Sequence, residues 1–380
     1  MAHPHALINP AMLRWARVRV GLDVSEAAIA VGVRPEQFQG WEEGDSHPTF
    51  RQAQQVANAL HAPFGYFFLS EAPVEEPVLP DLRTVGGMPA GKPSVNLTET
   101  VQHAMQRQAW FVEYLQEQGA QPLPFVGRFN TSSNMARVAQ DIRTELGVDV
   151  EQGQRNWEAY YRELIEAAES AGILVMRSGI VGNNTHRKLD VGEFRGFAIS
   201  HPLAPVVFIN STDAPSARLF TLIHELAHIW IGSSGISSVA PGNTRREEIV
   251  CNAIAGEFLA PSALFAELWA VGSKDLAQRV AELAHRFHVS RLVIIRRALD
   301  MDLVDQATYL AFYRAELDAF RTAEGGGGNF YRNAGAKNSA RFARAVIAEA
   351  FSGRLLLRDA GRLLGVQPSK IRDFAGQLGA

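Results

Sequence analysis

Apolar residues recur at helical spacing along most of this chain, and the interruptions divide it into four stretches. In residues 1–72, Leu13, Trp15, Ala16 and Val20 mark one side of a first helix. A second, "SEAAIAV", has Ser25 placed to cap it and Gly32 at its end. A third, "PEQFQGWEEG", carries Pro35 in its first turn and stops at Gly44. "PTFRQAQQVANALHAPFGYFFL" supplies a fourth helix and an aromatic exit. Pro73, Pro77, Pro80, Pro89 and Pro93 exclude regular helix over 73–94, which reads as an ordered linker. Residues 95–324 are α-rich. Within them "GILVM" (172–176), "FRGFAIS" (194–200) and "PVVFIN" (205–210) predict a small sheet. Four glycines at 325–328 make a flexible break, and 329–380 returns to helical patterning. No internal repeat of fixed period is present. The expected fold class is mainly α (α+β).

One helix carries candidate chemistry. In "FTLIHELAHIWIG" (220–232), Phe220, Leu222, Ile223, Leu226, Ala227, Ile229 and Trp230 form a surface to bury; Asp213 can cap the helix and Pro215 suits its first turns. His224 and His228, four apart, lie on one face with Cβ atoms about 5–6 Å apart. Both imidazoles can therefore reach one zinc ion. Glu225 sits one step round, where its carboxylate can take a proton from water instead of binding the ion. Burying such polar groups without partners costs about 1–3 kcal/mol each, a cost that a shared metal removes.

A catalytic site of this sort needs a third protein ligand. A motif extended by glycine at 231 and histidine at 234 is excluded by Ile231 and Ser234. In the next helical segment, 245–261, Glu248 lies 20 residues beyond His228, with Asn252 four further on to orient a ligand from the second layer. Glu247 is the competitor, pointing away from the stripe that Ile249, Asn252, Ala253 and Phe258 imply. A His–His–Glu set suits Zn2+, and accepts Mn2+ or Fe2+ as well.

Composition narrows the setting. With 47% hydrophobic and 20% charged residues and a net charge of −3, the chain is unsuited to coating nucleic acid by bulk charge. Its one cysteine, Cys251, excludes an internal disulfide and fits a reducing compartment. The first residues lack a basic stretch followed by a long apolar run, and no run approaches the roughly 18 residues of a membrane span. A cytoplasmic protein with no membrane partner is expected.

The N-terminal order, through Ala28, Gly32, Val33, Trp41, Glu42, Gly44, Pro48 and "QVANALHAP", resembles the helix-turn-helix of the phage-repressor-like (XRE) regulators. That resemblance implies a third helix in the DNA major groove, offering Gln37 and Gln39 to base edges beside Arg34 and Arg51. Residues 1–70 nevertheless hold five basic and six acidic side chains, a net −1, whereas phosphate neutralisation supplies most nucleic-acid affinity. A protein-binding or dimerising module, in a homodimer, is the competing expectation.

"VVFINSTDAPSARLFTLIHELAHIWIG" followed by "EEIVCNAIAGEFLAP" is similar to the ImmA/IrrE family of metallopeptidases, as are "EFRGFAIS", "FHVSRLVIIRRAL" and "PVLPDLRT". The resemblance implies a zincin-like domain in which His224, His228 and Glu248 bind metal and Glu225 is the catalytic base. It further implies limited proteolysis of a repressor or antitoxin partner, relieving transcriptional repression. Cys251 departs from a more usual alanine. His201, Arg195, Tyr160 and Tyr161 stand as unranked candidates for stabilising an oxyanion, and an exposed sheet edge would suit an extended peptide. The rival is a DNA-binding regulator whose peptidase-like domain senses metal or ligand without cutting, against which Glu225 weighs. In 329–380 nine basic side chains face three acidic ones, a net +6, and "RDAGRLLGVQPSKIRDFAGQL" reads as helix–Gly–helix. A second DNA contact and a solvated face packed on the core are both open for it.

Overall fold

A computed structural model describes residues 4–73, 84–85, 88–89, 93–148, 157–237, 245–273, 275–321 and 337–378. Most of the expected linker, including nearly all of "PVLPDLRT", and the glycines 325–328 lie outside the described residues. The chain divides into two compact units, one holding the N-terminal helices through residue 73 and one holding the chain from Thr100 onward.

The first unit contains α1 (Pro10–Arg19), α2 (Val24–Val31), α3 (Pro35–Glu43), α4 (Phe50–Ala59) and a short 3-10 turn, Phe64–Phe68. Leu13, Ala16, Ala28, Phe38, Trp41, Val56 and Leu60 close its core. Ser25 does not cap α2. Asp23 accepts from the Glu26 N–H at 2.8 Å while Glu26 accepts from the Asp23 N–H at 2.8 Å, and this reciprocal pair starts the helix two residues earlier. Gly32 and Gly44 end α2 and α3 with φ of 79° and 84°, a left-handed conformation that glycine adopts without steric cost.

In the second unit, a two-residue pair, β1 (Thr84–Val85) and β2 (Met88–Pro89), is antiparallel. There follow α5 (Val95–Glu117), which belongs to this unit from Thr100 onward, α6 (Met135–Leu146), α7 (Trp157–Ser170), β3 (Leu174–Ser178), β4 (Gly196–Ile199), β5 (Val206–Asn210), α8 (Pro215–Trp230), β6 (Gly235–Ser237) and α9 (Arg246–Leu259). The mixed sheet runs β3-β5-β4-β6, parallel between β3 and β5 and antiparallel elsewhere. β6 was not among the expected strands; three residues carry too little pattern to announce a strand. β3 begins two residues later than expected, after a turn at Gly172 with φ of 108°.

Leu219, Leu222, Ile223 and Leu226 of α8 join Val175, Ala198, Val207 and Ile209 of the sheet and Ile254 and Phe258 of α9 in one core. That packing fixes α8 between the sheet and α9. Pro215 occupies its first turn as expected, but Asp213 is not its cap. Ala214 holds that position, while Asp213 Oδ1 accepts from the Ala214 N–H and Oδ2 lies 3.5 Å from Arg195 Nε.

Beyond α9 come α10 (Ser262–Val271), α11 (Leu276–Phe287), α12 (Arg291–Asp300) and α13 (Gln306–Arg321), then α14 (Ala340–Phe351), α15 (Leu357–Leu364) and α16 (Ile371–Leu378). The last three pack on the same unit: Glu169 of α7 accepts from the N–H groups of Ala340 and Arg341, and Asn183 donates to the Gly365 carbonyl. Among the described residues no single helix is long and apolar enough to cross a membrane.

Candidate metal centre

The pairing of α8 with α9 brings two helix faces into register. His224 and His228 project from α8 with Nε2 atoms 3.1 Å apart. Glu248, in the first turn of α9, places Oε2 3.3 Å from His224 Nε2 and Oε1 3.1 Å from His228 Nε2. Three donors each bound at about 2.0–2.2 Å to one tetrahedral ion lie about 3.3 Å from one another. The observed spacing fits such an ion without rearrangement, and all three side chains are buried.

A second layer fixes the imidazoles. His224 Nδ1 lies 3.0 Å from Asn252 Oδ1, which accepts its proton and leaves the Nε2 lone pair facing the cluster. Ser233 Oγ lies 2.8 Å from His228 Nδ1. The sequence pattern did not point to Ser233. Its signal is Gly232, whose φ of 71° turns the chain just past α8 so that the next residue returns to the last helical turn.

Glu248 is 6% exposed and Glu247 is exposed, so of the two only Glu248 faces the histidines. The stripe expected to separate them was misplaced at Ile249, which is 50% exposed. Cys251, Asn252 and Ala255 are the residues that share the face of Glu248, at the i+3, i+4 and i+7 positions.

Glu225 is fully buried one step round α8. Its carboxylate lies over β4, where a Cβ on Gly196 would stand 2.8 Å from Oε1, 2.7 Å from Thr221 Cγ2 and 2.8 Å from the Phe208 carbonyl oxygen. A cavity of about 380 Å³ lined by His228, Ser233, Arg245, Glu247 and Glu248 opens beside the cluster.

Charge within the cluster is strongly coupled. Burial opposes ionisation of Glu248, yet the hydrogen bonds and charges of the two imidazoles hold its carboxyl far below the usual range. For His224 burial works against the cation, but Glu248 foremost, then Glu225 and Asn252, raise its pKa above 6.5. Two basic nitrogens facing a carboxylate form the electrostatic setting a divalent cation fits. Burial first, then the charges of Glu248, Glu225 and Glu247, drive the Cys251 thiol well above 9.

The four oxyanion candidates are each held in local structure. His201 Nδ1 accepts from the N–H groups of Leu203 and Ala204. Arg195 pairs with Asp213, the Arg177 guanidinium stands 5.7 Å from the Tyr161 ring centre, and the Tyr160 ring centre lies 6.2 Å from that of His288. In the N-terminal unit Arg34, Gln39 and Arg51 are exposed and Gln37 half-buried. Gln39 donates to Glu43. Arg17 grips Glu42 with two hydrogen bonds, Arg14 donates to the Glu42 carbonyl and Arg19 to that of His61. Three of that unit's five arginines are thus engaged internally.

Fold and site together define a mainly helical protein with a small mixed sheet and a buried His–His–Glu cluster suited to a divalent ion. Residues 168–299, from the end of α7 through α12, match the model of a peptidase family described as the IrrE N-terminal-like domain. That match supports the ImmA/IrrE resemblance and a metallopeptidase-like function. Residues 338–377 match a domain of unknown function (DUF8813). No curated protein matches the chain.

Proposed function

We propose that this chain is a zinc-dependent metallo-endopeptidase that makes limited cuts in a helix-turn-helix repressor or antitoxin, coupling proteolysis to transcription or a stress response. The observation that carries it is the convergence of His224, His228 and Glu248 at single-ion spacing beside the buried carboxylate of Glu225. His224, His228 and Glu248 would hold the ion, with Asn252 and Ser233 fixing the rings. The ion, when bound, supplies Lewis-acid activation of water and of the scissile carbonyl.

Glu225 supplies the proton chemistry. Its carboxylate accepts a proton from the attacking water and delivers it to the leaving amine. Gly196 of β4 leaves room for this carboxylate, since a Cβ there would stand 2.8 Å from Oε1. A metal sensor needs ligands but not a carboxylate beside them, and this favours cleavage over the non-cutting regulator.

In the same reading the N-terminal unit is an XRE-like helix-turn-helix that meets the partner or a second copy of the chain. The three internally engaged arginines support protein recognition there more than phosphate contact. The test is Glu225→Gln, assayed on a repressor encoded beside the chain. The variant should retain stoichiometric zinc and lose cleavage by at least about a hundredfold. Undiminished cleavage would remove Glu225 from its role.

A further inference from the structure

We infer that the C-terminal trihelical segment α14–α16 is a helix-turn-helix that binds duplex DNA, and that it, not the N-terminal unit, carries the chain's nucleic-acid contact. This rests on observations independent of the metal centre. α15 ends at Gly365, which is left-handed with φ of 65°, and a 3-10 turn over Pro368–Lys370 leads into α16. Small Gly361 lets the turn fold back on α15, since a Cβ there would lie 2.6 Å from the Val366 carbonyl oxygen and 3.3 Å from Pro368. Ala360, Leu364, Ile371, Phe374 and Ala375 are buried with Phe342 and Val346 of α14. A tight turn at glycine between two short helices braced by a third is the geometry that sets a helix into the major groove.

What the fold leaves outward matches that task. Gln367, Ser369, Lys370, Arg372, Asp373 and Gln377 are all exposed on the second helix or its leading turn. Ser369 and Gln367 are short or amide donors able to meet base edges, and Arg372 can reach guanine or phosphate. Residues 337–378 hold eight basic and three acidic side chains. Arg358, 82% exposed, lies 3.4 Å from Asp359 and Lys370 3.2 Å from Asp373, whereas Arg362 and Arg372 are exposed with no ion-pair partner among the described residues. Docking on the rest of this unit runs through the start of α14 and the carbonyls of Leu363 and Gly365. Residues 1–70 offer the opposite balance, a net −1.

The experiment measures binding of the full chain to a fluorescein-labelled mixed-sequence duplex between about 50 and 200 mM salt. Affinity should fall steeply with salt. A triple variant, Arg358→Gln, Arg362→Gln and Arg372→Gln, should weaken binding at least about tenfold. It should also flatten the salt slope by about 1 for each phosphate that is no longer neutralised. Arg34→Gln with Arg51→Gln should change affinity less than about twofold. A second probe of the same surface, Gln367→Glu with Ser369→Glu, should likewise weaken binding at least about tenfold, and guards against misfolding of the triple variant. No duplex binding at the lowest salt, preference for single-stranded RNA, or full affinity in both C-terminal variants would overturn the assignment. So would loss confined to the Arg34 and Arg51 variant.

Discussion

Glu225 and Gly196 are pressed together so closely that strand β4 can carry no side chain where the carboxylate lies: a Cβ at 196 would stand 2.8 Å from Oε1. The Phe208 carbonyl oxygen, also 2.8 Å away, is backbone and cannot step aside. Gly196→Ala should therefore move Glu225 while leaving His224, His228 and Glu248 in place. Displacement of about 1 Å at a reacting group costs on the order of a hundredfold in rate, and overpacking costs about 1–3 kcal/mol in stability. Cleavage rate, zinc content and thermal melting, measured together, check this. Wild-type activity in the variant would mean that the contact does not position the carboxylate.

Ser233 and Asn252 each hold one imidazole by its Nδ1. Replacing either with alanine should weaken metal affinity about 10- to 100-fold, measured by competition with a chromogenic chelator. The two losses should fall on different histidines and add. Unchanged affinity in both variants would show that the rings are fixed by packing alone.

Cys251 shares a helix face with Glu248 and is fully buried, its thiol held well above 9 by burial and nearby carboxylates. In the folded protein at neutral pH it should resist iodoacetamide, and react only after denaturation. Rapid alkylation of the native chain, read by mass spectrometry, would contradict this burial.

Lys337 docks the C-terminal helices through hydrogen bonds to the Gly182 carbonyl and Asn183 Oδ1. Burial, reinforced by Arg107, lowers its pKa from 10.5 to about 8. Between those values the unfolded chain binds the extra proton and the folded chain does not, so this group adds stability as pH rises from 8 towards 10.5. The gain is at most about 3 kcal/mol. Urea unfolding across that range should show the rise, and Lys337→Met should flatten it. An identical slope in the variant would place the titration elsewhere.

How far these features were legible in the sequence depended on whether they follow from local periodicity. His224, Glu225 and His228 share one helix, where a four-residue spacing fixes their face, and Glu248 with Asn252 repeats that rule on α9. Ser233 and Gly196 were not legible as parts of the site because a turn and a neighbouring strand deliver them, and only the folded sheet shows their approach. Helix starts failed for a similar reason. At α2 an Asp23–Glu26 pair outcompeted Ser25, and at α8 Asp213 turned to its own neighbour and to Arg195. The pairing of Arg17 with Glu42, 25 positions apart, could not be seen as anything but two surface charges.

Metal stoichiometry is the most direct test of the centre. Chelator-stripped protein dialysed against zinc should take up one ion per chain, and His224→Ala should bind it at least about a hundredfold more weakly while staying folded. A stripped wild-type chain that takes up no ion, and whose melting temperature zinc leaves unmoved, would contradict the metal centre and the peptidase chemistry built on it.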